Sequence, residues 1–205
     1  EGVITGVRSA RDLRQAVKQS SSYCSELLAE EFVEGASYRL LFLNGELIDK
    51  VRREPPSIVG DGGSSIDRLV VRENERRRSS LPVTALSLIT CDGEMDDTLR
   101  AQSYHRSSIP NDGVRVILKR VVNQNSANEN FTVREAVHTS TIEMAQRLVR
   151  GLGIELAGVD VICRDIGRPL RENGNGVIAE VNTDPGLHHH YLTNESGAPN
   201  FVADQ

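Results

Sequence analysis

Residues 38–54, with the sequence YRLLFLNGELIDKVRRE, restrict the fold more than any other stretch. Two runs of branched and aromatic apolar residues flank the dipeptide Asn44-Gly45. Both of these residues tolerate a positive φ angle, so the dipeptide between two such runs is a strong signal for a β-hairpin. The sequence therefore predicts two antiparallel strands here.

Two more strands are predicted in the last third of the chain. Residues 155–165 (ELAGVDVICRD) and 176–182 (GVIAEVN) are apolar runs, and the connection between them is rich in Gly, Pro and Asn. Such a short, turn-rich connection favours antiparallel neighbours. Residues 27–35 (LLAEEFVEG) also form an apolar run that predicts a strand, and residues 114–122 are rich in β-formers.

Helix signals occur at three places. Ser9 and Asp12 resemble a capping pair, a second helix is predicted to begin at Ser64 or Ser65, and Ser140 with Glu143 has the pattern of a capping box. The last helix is expected to bury one stripe of side chains, namely Ile142, Ala145, Leu148, Val149 and Leu152. Hairpin signals outnumber helical crossovers, which predicts an α+β fold with a mostly antiparallel sheet.

Composition argues against some functional classes. The 24 basic and 29 acidic residues give a net charge of -5, which argues against nucleic acid as a partner. The basic run 72–78 is interpreted as a solvent-exposed helix end rather than a phosphate-binding track. The sequence has no apolar run near the ~18 residues of a membrane span. Three well-separated cysteines fit a reducing compartment, so a cytoplasmic location is expected.

The last two predicted strands carry a candidate metal site. Side chains alternate between faces along a strand, so Glu180 and Asn182 point to the same side. If the two strands pair, Asp160 lies beside them. Two carboxylates and an amide oxygen suit Mg²⁺ or Mn²⁺ bound to a nucleotide. The alternative is that both carboxylates lie at strand ends in water.

Two long segments carry a resemblance to a known family. GVDVICRDIGRPLRENGNGVIAEVNTDPGLHHHY resembles the terminal signature of the ATP-grasp superfamily, specifically of amino-acid ligases related to cyanophycin synthetase. EEFVEGASYRLLFLNGELIDKVRREPPSIVGDGGSSIDRLV resembles the hinge strand, hairpin and VGDG-S segment of the same ligases, in the same order. The resemblance covers residues 1 to about 75 and 114–205.

The resemblance implies an α+β fold, the ATP-grasp C-terminal lobe, in which a mostly antiparallel sheet is flanked by helices. Residues 1–34 would be a remnant of the central nucleotide-binding lobe with the hinge strand, and residues 35–205 the C-terminal lobe. The opening EGVITGV resembles the tail of the glycine-rich loop that closes over the phosphates. The chain is therefore expected to be a fragment that alone binds ATP poorly and does not turn over.

The resemblance also implies roles for individual residues. Asp160, Glu180 and Asn182 would bind the Mg²⁺ or Mn²⁺ ions on ATP, with Glu180 bridging two ions. The catalytic residues facing the phosphates would be Arg39, Arg53 and Arg120, because a guanidinium pairs with phosphate oxygens and stays charged. The hinge residues contacting the nucleotide would be Glu30, Glu31, Phe32 and Val33, and Ser37 stands where relatives place an acid for the ribose.

The substrate side of the site is implied in the same way. The residues assigned to substrate are Asn123, Pro185, Gly186 and His188. The loop after Arg120 lacks the glycine pair of cyanophycin synthetases, which leaves the amino-acid substrate open. If the last strand continued, His188 and His190 would share a face. These histidines are then transition-metal ligands, hydrogen-bond partners of a substrate carboxylate, or simply exposed.

The implied activity is that of an ATP-dependent carboxylate–amine ligase, which forms an amide bond through an acyl phosphate with amino-acid or peptide substrates. A second hypothesis is a truncated nucleotide-binding module without turnover. A third, a nucleic-acid-binding protein using the basic run 76–78, is disfavoured by the acidic balance and by the absence of tryptophan. The oligomeric state, including a homo-oligomer, is left open.

Overall fold

A computed structural model describes residues 4–81, 83–122 and 124–194. The chain divides into two compact units, Glu1–Phe32 and Val33–Gln205. The first unit contains the helix α1 (Ala10–Ser20), whose N-cap Ser9 accepts a hydrogen bond from the amide of Asp12, so the predicted capping pair is confirmed. No residue of α1 is buried.

The second unit is built on a five-stranded sheet in which every neighbouring pair is antiparallel. In the described part of this unit, four helices, two 3₁₀ turns and a separate two-stranded sheet complete it, which confirms the predicted α+β class. The elements are β1 (Ala36–Leu43), β2 (Glu46–Arg53), β3 (Ser57–Val59), α2 (Ile66–Ser79), α3 (Gly93–Ala101), β4 (Arg115–Ile117), β5 (Asn130–Thr132), α4 (Thr139–Gly151), β6 (Leu156–Cys163), β7 (Gly176–Asn182) and α5 (His188–Tyr191). The strand order of the large sheet is β5-β2-β1-β6-β7.

The hairpin predicted from Asn44-Gly45 is confirmed. Strands β1 and β2 pair directly, and the two turn residues have φ angles of 51° and 78°. The predicted antiparallel pairing of β6 with β7 is also confirmed. Because β6 pairs with β1 on its other edge, the hairpin and the C-terminal strand pair form one continuous sheet.

The first face of this sheet carries the main hydrophobic core. Leu40 of β1 lies directly opposite Val159 of β6, Phe42 lies further along the same face of β1, and α4 covers them with Ala145 and Val149. Burying a leucine or phenylalanine side chain of this kind contributes about 1.5–3 kcal/mol. Since strand side chains alternate, the intervening residues of β1, β2, β6 and β7 project to the opposite, second face.

A second core lies under α2 and α3. It contains Ile66 and Leu69 of α2, Met95 and Leu99 of α3, and Val116 of β4. The start of α2 agrees with the sequence, because its N-cap is Ser65, whose side chain accepts a hydrogen bond from the amide of Arg68. Within the described residues, no helix is both long and apolar enough to cross a lipid bilayer.

The structure corrects the predicted start and buried stripe of α4. The N-cap is His138, whose Nδ1 accepts from the amide of Ser140, so Ser140 does not itself cap the helix. Thr141 is buried together with Ala145 and Val149, whereas Leu148 and Leu152 are exposed. The predicted stripe was too wide, because only the side chains directly above the sheet are covered.

Two predicted strands are also corrected. Residues 27–35 form no strand in the described part of the chain, and Leu28 and Phe32 are exposed. An apolar run becomes a strand only when a neighbouring strand satisfies its backbone groups, and these residues have no such neighbour there. In 114–122, only the three residues of β4 form a strand, which pairs with β3.

Candidate functional site

The centre of the second face is an ion pair between Arg39 and Asp160. These residues are direct partners in the pairing of β1 with β6. Nε of Arg39 donates to Oδ1 of Asp160 at 2.7 Å, and a terminal nitrogen donates to Oδ2 at 2.7 Å. Both residues are buried. A two-point contact of this type fixes the orientation of the guanidinium plane.

Arg53 of β2 joins the same carboxylate. Its terminal nitrogen lies 2.9 Å from Oδ2 of Asp160 and 3.4 Å from the hydroxyl of Ser37. Burial lowers the pKa of Arg53, while the charge of Asp160 acts in the opposite direction. Nε of Arg53 is buried and has no hydrogen-bond partner within residues 4–81, 83–122 and 124–194. One buried cationic donor of the site is therefore left without an acceptor.

Glu180 and Asn182 of β7 lie beside Asp160. Glu180 is the direct strand partner of Asp160, and Nδ2 of Asn182 lies 3.5 Å from Oδ2 of Asp160. Glu180 is exposed, and its charge acts on Arg53. The structure thus brings five predicted site residues together on one face. We call them the arginine–carboxylate cluster: Arg39, Arg53, Asp160, Glu180 and Asn182.

The donors of this cluster fit a hard divalent cation. An ionised carboxylate has about four lone-pair sites, and Asp160 accepts three contacts from the two arginines and a longer one, at 3.5 Å, from Nδ2 of Asn182. The exposed carboxylate of Glu180 and the amide oxygen of Asn182 are ligand types that Mg²⁺ accepts, and Asp160 would join them by giving up its long contact with Nδ2 of Asn182. Among the described residues, no group of three or more His, Cys, Asp or Glu side chains is arranged for a metal, so the amide is required.

Residues 183–194, which we call the crossing segment, run across the second face of the sheet. Pro185 lies against Gly158 of β6, where a Cβ atom would come within 2.9 Å of the proline. His190 bonds to Asp49 of β2. At the far edge, the amide of Asn194 donates to the carbonyl of Asn130 in β5. The segment therefore covers the sheet from β7 to β5.

The three histidines of the crossing segment do not continue a strand. They lie in the short helix α5, so the prediction that His188 and His190 share a strand face is wrong. Burial is the main cause that lowers the pKa of His188, and burial together with the neighbouring charges lowers the pKa of His189 to about 2. Both imidazoles are therefore uncharged at neutral pH, next to Arg39 and Arg53.

The predicted site residues outside the cluster lie partly at exposed positions and partly on or next to the second face. Glu30, Glu31 and Phe32 are exposed in the first unit, and Val33 is half-buried in the second. Arg120 is exposed after β4, and its amide donates to Glu94 Oε1 at 3.2 Å. Asn123 lies outside the described residues. The remaining predicted residues, which lie on or next to the second face, are Ser37, Pro185, Gly186 and His188.

Asp49 is a buried site residue that the sequence reasoning missed. It lies on β2, and its carboxylate Oδ2 is 2.5 Å from Nδ1 of His190. The signal was present, because an acid in the middle of the apolar run LIDKV is costly unless it is paired. The same reasoning that singled out Asp160 would have singled out Asp49.

The sequence is similar to parts of two kinds of known protein. No protein-family model matches the sequence. The chain is 32% identical over 197 residues to a cyanophycin synthetase from Synechocystis, covering 95% of this chain and 22% of that protein. It is 29% identical over 190 residues to a glutathione biosynthesis bifunctional protein from Clostridium perfringens, covering 92% of this chain and 24% of that protein.

A solved structure shares the fold. The crystal structure of a bifunctional glutathione synthetase from Pasteurella multocida matches with a TM-score of 0.56 and 23% identity, over 92% of this chain and 26% of that one. The chain thus spans about a quarter or less of the length of these relatives. The chain is similar in sequence to a segment of a cyanophycin synthetase and of a glutathione biosynthesis bifunctional protein, which are ATP-grasp ligases, and it shares its fold with a bifunctional glutathione synthetase.

Proposed function

We propose that the protein containing this chain is an ATP-dependent ligase that joins a carboxylate and an amine of amino-acid or peptide substrates through an acyl phosphate. The arginine–carboxylate cluster is the observation that carries the proposal. It places two buried guanidinium groups next to two carboxylates and an amide on one face of the sheet. The ancestry shared with ATP-grasp ligases supports the same activity.

The unpartnered Nε of Arg53 supports an anionic ligand. Leaving a buried donor without an acceptor costs about 1–3 kcal/mol, and more for a charged group. That donor belongs to the guanidinium that also contacts Asp160. A phosphate oxygen would satisfy it and would be held by a charged donor of fixed geometry. Arg53 would then orient the phosphoryl group during transfer.

The charge balance supports a metal that enters together with a nucleotide. With both carboxylates ionised, Arg39 and Arg53 balance Asp160 and Glu180, so the cluster is neutral. A divalent cation alone would add two positive charges beside two guanidinium groups. A polyphosphate supplies the compensating negative charge. Bound Mg²⁺ would offset the charge on the phosphates during phosphoryl transfer.

Several assignments extend this proposal. The resemblance assigns residues 1–34 to a central nucleotide-binding lobe with the hinge strand and residues 35–205 to the lobe that carries the cluster. Arg120 would act with Arg39 and Arg53 on the phosphates. The proposed adenine and ribose contacts are Glu30, Glu31, Phe32, Val33 and Ser37, and the proposed substrate contacts are Asn123, Pro185, Gly186 and His188.

The test is an ADP-release assay on the full-length protein with Mg²⁺, ATP and a panel of amino acids and short peptides. Arg53→Gln should lower kcat/KM by about 10-fold to 150-fold, because one charge-assisted contact is worth about 1.5–3 kcal/mol. The control is Arg52→Gln, since Arg52 pairs with Glu54 at 3.1 Å and stacks on Phe131, away from the cluster.

Two results would contradict the ligase. Equal losses in Arg53→Gln and Arg52→Gln would show that the cluster is not the reacting site. Nucleotide binding without ADP release for any carboxylate and amine in the panel would favour a nucleotide-binding module without turnover. Mass spectrometry of an amide product that accumulates in step with ADP would support the ligase directly.

A further inference from the structure

The crossing segment is held to the sheet by a buried polar pair. Oδ2 of Asp49 lies 2.5 Å from Nδ1 of His190, and the two residues are 7% and 2% exposed. Both groups have lost most of their contact with water, so the bond between them offsets a desolvation penalty that a surface pair would not incur. Removing the carboxylate of Asp49 would leave Nδ1 of His190 buried without this hydrogen bond.

The Asp49–His190 pair is connected to the arginine–carboxylate cluster through β2 and through the contact of Pro185 with Gly158. Asp49 lies on β2, the strand that ends with Arg53. His190 follows Pro185 by one short turn, and Pro185 is packed on Gly158, the residue directly opposite Leu41 in β1. A Cβ atom on Gly158 would also meet Cδ of Arg39 at 3.4 Å. The proline turn and the Arg39 side chain therefore meet over the same glycine.

The far end of the crossing segment is also held to the sheet. The amide of Asn194 donates to the carbonyl of Asn130, and Nδ2 of Asn130 donates to the carbonyl of Leu192. Between this end and the Pro185 contact, the bond of His190 to Asp49 ties α5 to β2. Losing it would weaken the attachment of α5 to β2.

His190 has a second feature that packing alone does not explain. Its Nε2 atom is buried and has no hydrogen-bond partner among the described residues. Nδ1 of the neighbouring His189 is in the same condition. Apolar side chains would fill this space without an unsatisfied nitrogen, so the two imidazoles make the fold less stable than apolar side chains would. They do place polar groups beside Arg39 and Arg53.

We propose that Asp49 and His190 are positioning residues of the ligase site. Their buried bond holds the crossing segment on the sheet, and through Pro185 and Gly186 it sets the distance between the substrate side of the site and Arg39. The role rests on the proposed ligase function and adds two residues to its site. Asp49 acts through His190, and neither residue needs to touch the reacting atoms.

The test compares Asp49→Leu with Asp49→Asn in the full-length protein. Leucine keeps the branching at Cγ but removes the acceptor, whereas asparagine matches the size of aspartate and its oxygen still accepts from Nδ1–H of His190. Glu46→Gln is the control, because Glu46 is an exposed acid at the start of the same strand. His190→Phe removes the partner from the other side, so a folding failure of one variant leaves the other to decide.

The first readout is amide hydrogen exchange of a peptide covering the crossing segment. Exchange should rise about 10-fold to 100-fold in Asp49→Leu and His190→Phe, with little change in Asp49→Asn or in α4. The second readout is kinetic. KM for the carboxylate or amine substrate should rise about tenfold while KM for ATP stays the same, and Asp49→Asn should restore most of the loss.

The outcomes separate this inference from the proposed function. Absence of turnover in the unchanged protein overturns both. If the unchanged protein turns over and the kinetic constants of Asp49→Leu and His190→Phe equal those of the control Glu46→Gln, only the positioning role is overturned. Faster exchange throughout the sheet, with all kinetic constants falling together and no rescue by asparagine, would assign the pair to general stability and would also overturn the inference.

Discussion

Arg39 and Asp160 face each other across β1 and β6, and the guanidinium contacts both carboxylate oxygens at 2.7 Å. Arg53 reaches the same carboxylate from the next strand, at 2.9 Å. Asp160 therefore compensates two buried cations. Removing this carboxylate would leave both guanidinium groups without their shared anionic partner.

Asp160→Asn should loosen the centre of the sheet. The amide leaves two buried guanidinium groups with a weaker partner, and breaking a buried ion pair costs about 3–5 kcal/mol. Amide hydrogen exchange in β1 and β6 should become faster. Glu155→Gln, an exposed acid just before β6, is the matched control. Unchanged exchange in Asp160→Asn would mean that the arginines are compensated elsewhere.

Metal binding should depend on nucleotide. Because the cluster is neutral and contains two guanidinium groups, Mn²⁺ alone should bind weakly, and a non-hydrolysable ATP analogue should increase its affinity at least about tenfold. Electron paramagnetic resonance of free Mn²⁺ measures this in the full-length protein. Glu180→Gln should remove the increase, whereas Glu143→Gln, an exposed acid on α4, should not. Tight Mn²⁺ binding without nucleotide would contradict the charge argument.

The free energy of unfolding should fall as the pH is lowered, because His189 resists protonation in the folded protein. Its pKa is about 2 in the folded protein, mainly because of burial, and about 6.5 in an unfolded chain. The unfolded state therefore binds one more proton below pH 6.5. The contribution to stability is complete above pH 6.5 and is lost toward pH 2, with a slope of at most about 1.4 kcal/mol per pH unit.

Denaturant titrations at pH 7.5 and pH 5.5 test this sign. His189→Gln should reduce the loss of stability on acidification, while the same change at the exposed His105 should leave it as it is. If His189→Gln and the unchanged protein lose the same stability between the two pH values, the imidazole of His189 is not the group that opposes protonation.

Gly158→Ala should disturb the contact between the sheet and the crossing segment. The new Cβ would lie 2.9 Å from Cβ of Pro185, and an inserted methyl group in a packed site costs about 1–3 kcal/mol. Exchange in the crossing segment should increase. Gly63→Ala is the control, since a Cβ there meets no atom within 4 Å. Protection of the segment equal to that in the control would show that Pro185 can shift without cost.

Local signals in the sequence determined several elements of the fold. The Asn44-Gly45 turn, the caps at Ser9 and Ser65, and the apolar runs of β6 and β7 each depend on backbone preferences of adjacent residues. Alternation along β7 was sufficient to place Glu180 and Asn182 on one side. These features need no knowledge of distant parts of the chain, so the sequence predicted them correctly.

The tertiary structure decided which side chains meet. Arg39 and Asp160 are separated by 121 residues, and Asp49 and His190 by 141, so only the strand order brings each pair together. That order follows from the apolar area buried over the whole sheet, which no short segment encodes. Residues 27–35 have the composition of a strand without a partner strand among the described residues, and α4 takes its cap from His138. In each of these cases the outcome depends on a neighbour supplied by the fold, whereas the sequence specifies only what each segment prefers by itself.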